Sequence, residues 1–346
     1  MKISKNAWTT IKEGKAIIKV PTAKIVSKEL EVFYNPVMRL NRDISVELCK
    51  VLAKNWHFAD IVAASGIRSI RFAKELKQSQ IAKIYINDYD KTAIKNVKEN
   101  LKLNKLSQKK IELHNEDASI FLLTNKKFYD YIDIDPFGSP NPFLDASVKH
   151  IKNNGILAVT ATDTAALCGT AVEACIRKYW ATPRLDENMK EWALRILARK
   201  VQLVGAQYEK ALIPILSHAT EHYVRIYFKC QRNVQEMLKQ HDTKNGIGPM
   251  WLGQLQQTDI LKQMKSDEKD TEKLLRMLEN ESKINAIGIY DVHKYTKQLK
   301  MSAPSTDNII KKIKQQGHQA CISHIAQVGI RSTISENEFV KILKEL

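Results

Sequence analysis

The chain has 346 residues, enough for about two domains, and 44% of them are hydrophobic, which excludes a globally disordered protein. Its 55 Lys and Arg against 38 Asp and Glu give a net charge of +17. A charge of this sign and size favours a polyanionic partner, and nucleic acid is the first candidate.

The five cysteines form no Cys-x-x-Cys pair, so the sequence indicates neither a zinc ribbon nor a disulfide framework. We expect reduced and mostly buried thiols. No apolar run approaches the ~20 residues that cross a bilayer, and the N-terminus lacks the apolar core of a signal peptide. These features predict a cytoplasmic protein without a membrane partner.

The first 30 residues are rich in lysine and contain a probable strand at residues 16–20, which predicts a small β element before the main domain. A helix is expected over residues 44–55, where Asn41 or Asp43 can serve as the N-cap.

An aromatic pair, Phe33 and Tyr34, precedes Arg42 in the chain. Two rings beside a guanidinium suit the edge of a ligand that is held by stacking and charge. They suit a packed helix entry equally well, so both interpretations stay open at this point.

Residues 58–63 read as the first core strand, and residues 64–68 as a turn of small residues that opens a helix. Small residues let the backbone approach a ligand, and a helix N-terminus offers free N–H groups. Only Gly66 of a glycine-rich fingerprint is present, so this signal is weak alone. The next strand ends in Asp88, 22 positions after Gly66, where related sheets place an acid that binds ribose hydroxyls.

A third strand leads from residue 111 to Asp117 and Ala118. Asp117 is placed to accept a hydrogen bond from an adenine amino group. An acid at the end of a strand is also often only a helix cap, so this assignment has a structural alternative.

The fourth strand, residues 128–132, leads to Asp135-Pro136-Phe137. Proline and the following glycine end the strand abruptly, which places the carboxylate at the carboxyl edge of the sheet, where ligands bind. A carboxylate, a carbonyl and an aromatic face together suit a flat base with an exocyclic amine. Asp135 and the Pro136 carbonyl can accept the amine hydrogens, and Phe137 can stack on the ring.

A fifth strand at residues 155–163 completes a β-α repeat that predicts a doubly wound parallel α/β sheet. We expect a long helix over 186–210 and a late strand at 223–228 that closes the sheet. The composition changes after residue 229, and residues 231–245 read as a polar linker or insertion. The prediction is therefore a catalytic domain of residues 1–230 and a smaller α/β domain of residues 231–346.

Taken together, the motifs resemble those of the tRNA (guanine-26-N2)-dimethyltransferases, a family of S-adenosylmethionine-dependent enzymes with a Rossmann-like sheet. Nine stretches carry the resemblance. They are FYNP at residue 33, NRD at 41, AASGIR at 63, DPFGSP at 135, TATDTA at 160, LCGT at 167, GPMWLG at 248, YDVHK at 290 and SAPS at 302. They cover nearly the whole chain.

The resemblance implies a fold, a chemistry and a set of site residues. It implies transfer of one or two methyl groups from S-adenosylmethionine to the N2 amine of one tRNA guanine, by a protein that we expect to be monomeric. The family's cofactor contacts fall on Arg42, Arg68, Asp88, Asp117 and Ala118. Its catalytic motif falls on Asp135, Pro136 and Phe137.

The chain departs from the family in two respects. Many members carry cysteine pairs for a metal after the catalytic domain, and their absence here predicts no zinc. Near the C-terminus, a Ser-x-Thr-His pattern of the family reads Cys321-Ile322-Ser323-His324.

Two other functions remain open. The Asp-Pro-Phe motif also resembles that of adenine-N6 methyltransferases, and the methylated nucleoside would separate the two activities. A non-catalytic tRNA-binding protein on the same sheet is the other alternative. The intact set of Asp88, Asp117 and Asp135 argues against it.

Overall fold

A computed structural model describes residues 8–22 and 30–346 of the chain. These residues form two compact units, each assembled from several segments. The first unit contains the described part of Met1–Thr162 together with Val201–Ile213 and Tyr227–Val234. The second unit contains Asp163–Lys200, Pro214–Ile226 and Gln235–Leu346.

An antiparallel hairpin, β1 (Trp8–Glu13) and β2 (Ala16–Pro21), comes first. Its turn contains Gly14 at a φ of +54°, a conformation that glycine adopts without steric cost. The predicted small β element is therefore present, although residues 1–7 and 23–29 of that prediction lie outside the described residues.

A seven-stranded sheet is the centre of the fold. Its strands are β3 (Trp56–Asp60), β4 (Ile81–Asn87), β5 (Ile111–His114), β6 (Tyr129–Ile134), β7 (Ile151–Ala161), β8 (Ala211–Thr220) and β9 (Tyr223–Gln231). The strand order is β5-β4-β3-β6-β7-β9-β8, and the pairs from β5 through β7 are parallel. The order turns back between β3 and β6, which is the kind of switch point where open α/β sheets bind ligands.

Helices alternate with these strands in the chain. They are α1 (Arg39–Leu52), α2 (Ile67–Glu75), α3 (Lys91–Leu103), α4 (Ala118–Thr124), α5 (Asn141–His150), α6 (Thr164–Leu167), α7 (Val172–Tyr179) and α8 (Met189–Ala206). The central strands are buried runs of apolar residues, such as Ile132, Ile134 and Val159, because helices cover both faces of a parallel sheet. The mixed α/β fold with a doubly wound sheet is thus confirmed.

Three asparagines on α3 bind the backbone of β2. Asn100 Oδ1 accepts from Lys19 N at 2.7 Å, Asn104 Oδ1 accepts from Ile17 N at 2.9 Å, and Asn96 Nδ2 donates to Lys19 O at 3.0 Å. Their i, i+4, i+8 spacing places all three on one helix face. They satisfy backbone groups that an edge strand would otherwise leave unpaired.

The rest of the chain forms smaller elements. They are α9 (Val234–Leu238), β10 (His241–Lys244), β11 (Ile247–Trp251), α10 (Thr258–Leu261), α11 (Lys269–Ser282), β12 (Tyr290–Asp291), α12 (Val292–Leu299), α13 (Thr306–Gln315), β13 (Ala320–Ile322), β14 (Gly329–Ser332) and α14 (Glu336–Glu345). The order β12-β14-β13 makes a three-stranded sheet, and Phe339 and Ile342 of α14 belong to its buried core. These elements combine helices with two small sheets.

Several boundaries differ from the sequence predictions. Helix α1 begins at Arg39 rather than at residue 44, so Asn41 and Asp43 are buried inside the helix and do not cap it. Residues 231–245 are not a plain linker, since they include α9 and β10. Strand β8, at the edge of the sheet, was not predicted.

None of the helices in the described residues combines the length and apolar character that crossing a membrane requires. Across residues 8–22 and 30–346, no group of three or more His, Cys, Asp and Glu side chains is arranged to hold a metal ion. Four of the five cysteines are buried, as expected, and Cys321 is half-buried.

Candidate active site

The Asp-Pro-Phe-Gly turn after β6 is held by two backbone contacts. Gly138 N donates to Thr162 Oγ1 at 2.6 Å, and Thr162 N donates to Gly138 O at 2.9 Å. Gly138 has a φ of +76°, which lets the chain turn sharply after the proline. We call this pair of hydrogen bonds the Gly138–Thr162 clasp. It fixes the turn that carries Asp135.

The Asp135 carboxylate is bound by Arg68 of α2. Arg68 Nη2 donates to Asp135 Oδ2, and Arg68 Nε lies 3.3 Å from Asp133 Oδ1. The side chain of Asp135 is 18% exposed, whereas that of Asp133 is 1% exposed. Asp135 Oδ1 makes no hydrogen bond within the described part of the chain, so one oxygen of the half-buried carboxylate is open to a ligand.

Arg68 is itself fixed by a buried polar group on α1 and β9. Its Nη1 donates to Asn41 Oδ1 at 2.9 Å and to Ser45 Oγ at 2.6 Å. Ser45 Oγ also donates to Asn41 O at 2.9 Å and shares a 2.8 Å hydrogen bond with Tyr227 Oη. Since each nitrogen of the guanidinium has a partner, its orientation toward Asp135 is set by the fold.

A third carboxylate, Asp60 at the end of β3, interacts electrostatically with Arg68. Burial of Asp60, together with the negative charge of Asp133, raises the pKa of Asp60 to about 7, although Arg68 opposes the shift. Its Oδ2 accepts from Ser69 Oγ at 2.8 Å. The strand ends therefore place three carboxyl groups around one guanidinium, which leaves an excess of negative charge.

Phe137 supplies an exposed ring beside the carboxylate. It is 51% exposed, and its centroid lies 4.1 Å from that of Phe33 with an angle of 68° between the planes. Edge-to-face contact supports one ring while leaving part of its surface to solvent. The two aromatic segments that the sequence placed about one hundred positions apart are thus neighbours.

Asp88 contacts the turn that follows β3. Its Oδ2 accepts from Ala64 N at 2.7 Å, and its Oδ1 accepts from Asp90 N at 2.9 Å. Burial raises the pKa of Asp88, and the two N–H donors limit the increase. Gly66 has a φ of +72°, and a Cβ there would lie 2.9 Å from Val97, so the turn requires glycine.

Asp117 caps α4, the structural alternative that the sequence allowed. Its Oδ1 accepts from Ser119 N at 2.9 Å and from Ile120 N at 3.1 Å. Its Oδ2 makes no hydrogen bond with any described residue, so a cap does not exclude a ligand contact. Ala118, the first residue of the helix, is 4% exposed.

Arg42 lies in a different group of charges. Its guanidinium makes two hydrogen bonds to Glu13, at 2.6 and 2.7 Å, and one to Asn35 O at 3.1 Å, and it lies 5.2 Å from the centroid of Tyr34. Burial alone would raise the pKa of Glu13, but Arg42 and Arg71 hold it at about 2. Among the described residues, no hydrogen bond or ion pair links Arg42 to the other predicted site residues.

The structure thus joins Arg68 to Asp135 and Asp88 to the Ala64–Gly66 turn. Sequence reasoning missed the partners that hold these groups, including Ser45 and Tyr227, which are 182 residues apart. It also missed Asn87, whose side chain joins the strand ends by donating to Ile61 O and Glu116 O at 3.0 Å. Contacts of this separation leave no local signal in one sequence.

Comparison with known proteins gives consistent matches. A family model described as N2,N2-dimethylguanosine tRNA methyltransferase matches residues 14–246 and 235–344. The tRNA (guanine(26)-N(2))-dimethyltransferase of Methanocaldococcus jannaschii is 37% identical, over 93% of this chain and 95% of that protein. The tRNA (guanine(26)-N(2)/guanine(27)-N(2))-dimethyltransferase of Aquifex aeolicus is 34% identical, over 97% and 96%.

A solved structure is also similar over nearly the full length. Trm1 from Pyrococcus horikoshii, in complex with S-adenosyl-L-methionine, superimposes with a TM-score of 0.87 at 30% identity. The match covers 97% of this chain and 99% of that one.

Proposed function

This chain belongs to the N2,N2-dimethylguanosine tRNA methyltransferase family, and on that premise we propose that it methylates the N2 amine of guanine 26 in tRNA, once or twice, with S-adenosylmethionine as donor. The observation that supports this most strongly is the Asp135 carboxylate on its clasped turn, with one oxygen bound by Arg68 and the other open. An exposed Phe137 ring stands beside it.

The residues at the strand ends fit S-adenosylmethionine. Gly66 adopts a positive φ, and Val97 fills the space where its Cβ would lie, so the Ala64–Gly66 turn keeps a fixed, tight shape. Each Asp88 oxygen has one backbone donor, so a second lone pair remains for a ribose hydroxyl. Asp117 Oδ2 suits the amino group of adenine, and the small Ala118 leaves space for the ring.

We assign Asp88, Asp117 and Ala118 to the nucleoside part of the cofactor, and Arg42 and Arg68 to its amino-acid end. The contacts of Arg68 support a second role, because its guanidinium holds Asp135 and Asp133. The Glu13 partner of Arg42 would have to share that arginine with a ligand. When bound, S-adenosylmethionine supplies an electrophilic methyl group.

Asp135 and the Pro136 carbonyl act on the guanine amine. Because Arg68 occupies Oδ2, the open Oδ1 accepts one amine hydrogen, and the Pro136 carbonyl accepts the other. These contacts direct nitrogen electron density toward the methyl group, and alignment of this kind is a large part of catalysis. As the new N–C bond forms and the methyl–sulfur bond of the donor breaks, which leaves a neutral thioether, Asp135 would stabilise the positive charge on nitrogen and accept the released proton.

Phe137 holds the base in place. The guanine must leave the tRNA stack to reach the carboxylate, at a cost of a few kcal/mol. Stacking on an aromatic ring returns roughly 1–3 kcal/mol per base. The edge of Phe33 against Phe137 keeps that ring in a fixed orientation, so that the amine faces Asp135 rather than solvent.

The test is methyl transfer to unmodified tRNA, followed by nucleoside analysis. We expect N2-methylguanosine and N2,N2-dimethylguanosine from labelled S-adenosylmethionine. A tRNA in which adenine replaces guanine 26 is the matched control, and it is expected to remain unlabelled. Label that persists in this control would locate a second modified guanine.

Two results would contradict the proposal. Methyladenosine as the product would indicate an adenine-N6 methyltransferase. Bound tRNA without any methyl transfer would indicate a binding protein.

The remaining assignments concern organisation. We propose that residues 1–230 form the catalytic domain and that residues 231–346 contact the tRNA. We also propose a cytoplasmic monomer, since one copy of the chain supplies every residue named above. Light scattering at working concentration would test the monomer, and a mass of twice 39.6 kDa would contradict it.

A further inference from the structure

The C-terminal end of α7 carries a tryptophan in an unusual backbone conformation. Trp180 has φ and ψ of +56° and +42°, in the left-handed region. Among the described non-glycine residues with positive φ, it is the only aromatic one. Bulky residues rarely adopt this conformation, and such strained positions cluster at functional sites.

Lys200 lies against the Trp180 ring, and half of the tryptophan remains exposed. Lys200 Nζ lies 3.1 Å from the ring centroid, and Lys200 is only 6% exposed, so it lies beneath the indole. Trp180 as a whole is 50% exposed. Arg199 Nη1 donates to Trp180 O at 3.3 Å and fixes the backbone.

The helix that precedes Trp180 also exposes aliphatic side chains to solvent. Val172 and Ile176, two turns and one turn earlier, are 38% and 41% exposed. An amphipathic helix normally buries such a stripe. Arg177 and Lys178 lie on the same exposed turn, and Arg177 makes no ion pair with any described residue.

The end of α7 is anchored near the catalytic segment in sequence. Tyr179 Oη donates to Asp163 Oδ1 at 2.6 Å, and Lys178 Nζ lies 3.2 Å from Asp163 Oδ2. Asp163 is the next residue in the chain after Thr162 of the Gly138–Thr162 clasp. The position of the tryptophan is therefore fixed by hydrogen bonds at the preceding two residues.

We propose that Trp180 is a stacking platform for an unpaired base of the tRNA, with Arg177 directed at a flanking phosphate; this rests on the proposed function. Every base presents a flat face to an aromatic ring, and basic neighbours pair with the backbone. A single ring with two aliphatic side chains is a small apolar area for a protein partner, and its flanking charges match RNA.

The test compares Trp180→Gly with Trp180→Phe. Glycine adopts the left-handed conformation freely, so the first variant is expected to fold and to lose only the ring. We expect its Kd for tRNA to rise about ten-fold or more, in line with the loss of one stacked base. Phenylalanine keeps a ring and is expected to restore most of the affinity. The Kd for S-adenosylmethionine should not change in either variant.

Salt dependence separates the ring from the charges. Arg177→Ala is expected to reduce the slope of log K against log salt by about 1, as one lost phosphate contact does. Trp180→Gly should weaken binding without changing that slope, because stacking releases no counterions.

Two outcomes would overturn the platform. One is a folded Trp180→Gly protein that binds tRNA as tightly as the wild type. The other is a wild-type dimer that this variant dissociates, which would assign the patch to a second copy of the chain. If tRNA binding depends on Trp180 but no methyl is transferred by the wild type, the platform stands and the proposed function fails.

Discussion

Two buried arginines, one in each compact unit, are surrounded by carboxylates with different consequences. Arg68 faces Asp133 and Asp135 and is influenced by Asp60, so three acids surround one guanidinium. Arg331 faces Glu191, at 2.7 Å, and Glu281, at 3.1 Å.

The second cluster is balanced and closed. Arg195 also binds Glu191, at 2.8 Å, and His324 Nδ1 lies 2.8 Å from Glu281 Oε1. Glu191 is completely buried; burial would raise its pKa, but Arg331 and Arg195 hold it at about 2. Two acids thus meet two arginines, and each charge is paired.

Similar groups therefore serve different purposes in the two units. A closed and balanced cluster stabilises the fold, because each of its charges is already paired within the protein and none is left to bind a ligand. The Arg68 cluster has surplus negative charge and one open oxygen, on the half-buried Asp135. A surplus of this kind suits a reaction in which positive charge is delivered and redistributed.

The largest effect is expected from Asp135→Ala. Turnover should fall by about 10²- to 10⁴-fold, the range of a lost general base, because no other oxygen takes the amine proton. Binding of tRNA should remain close to that of the wild type. Single-turnover methyl transfer and filter binding measure the two quantities.

Asp145→Ala is the control for this prediction. Asp145 is an aspartate whose side chain is 54% exposed and pairs with Lys149 on α5. Its removal should change neither quantity. Equal losses of binding and turnover in Asp135→Ala would make that residue structural and would erase the contrast between the clusters.

Glu191→Gln tests the closed cluster. Loss of one buried charge leaves Arg195 and Arg331 partly unpaired, which should lower the free energy of unfolding by about 3–5 kcal/mol. Turnover per folded molecule should stay near the wild-type value. Urea denaturation and active-site titration measure these effects.

The matched control is Glu187→Gln, which breaks the more exposed ion pair with Lys294 and should cost at most about 1 kcal/mol. A Glu191→Gln protein with unchanged stability and lost turnover would contradict the structural role of this cluster.

A pH dependence of the stability comes from Asp60. Its pKa is about 7 in the folded protein and about 3.9 when unfolded. Between these two pKa values, Asp60 is protonated in the folded state and ionised in the unfolded state. The contribution of Asp60 to the free energy of unfolding therefore decreases as the pH rises from 4 to 7 and does not change further above pH 7. The slope is at most about 1.4 kcal/mol per pH unit.

Asp60→Asn should remove this decline, so that the gain in stability over the wild type is largest above pH 7. Denaturation of the variant and the wild type at pH 5, 6, 7 and 8 measures this difference in the free energy of unfolding. Asp145→Asn, at the surface, should leave the decline in place. A variant that keeps the wild-type slope would show that Asp60 does not carry the excess proton.

The sequence predicted much of the sheet because strand periodicity and strand-ending residues are local signals. The spacing of Asp88 from Gly66 marked two neighbouring strand ends, but the hydrogen bond from Ala64 N to Asp88 was not predicted. The asparagine repeat at positions 96, 100 and 104 is a local pattern in the sequence, but the strand that it binds lies about 80 positions away.

Other features had no local signal. Glu13 binds Arg42 across 29 positions, and nothing in either segment names the other as a partner. The start of α1 was placed too late because Asn41 and Asp43 look like caps, whereas the fold buries them as partners of Arg68 and Arg71. Long-range pairing outweighed local preference at these positions.

The Gly138–Thr162 clasp has a consequence for the order of events in double methylation. The N–H and the carbonyl of Gly138 are both hydrogen-bonded to Thr162, so the Asp-Pro-Phe turn is rigid and does not open as a lid after each transfer. The first and second methyl groups are then added against the same surface. The yield of doubly methylated guanine then depends on two competing rates, the dissociation of the singly methylated base and the exchange of the spent donor for a new one. The yield therefore changes with donor concentration.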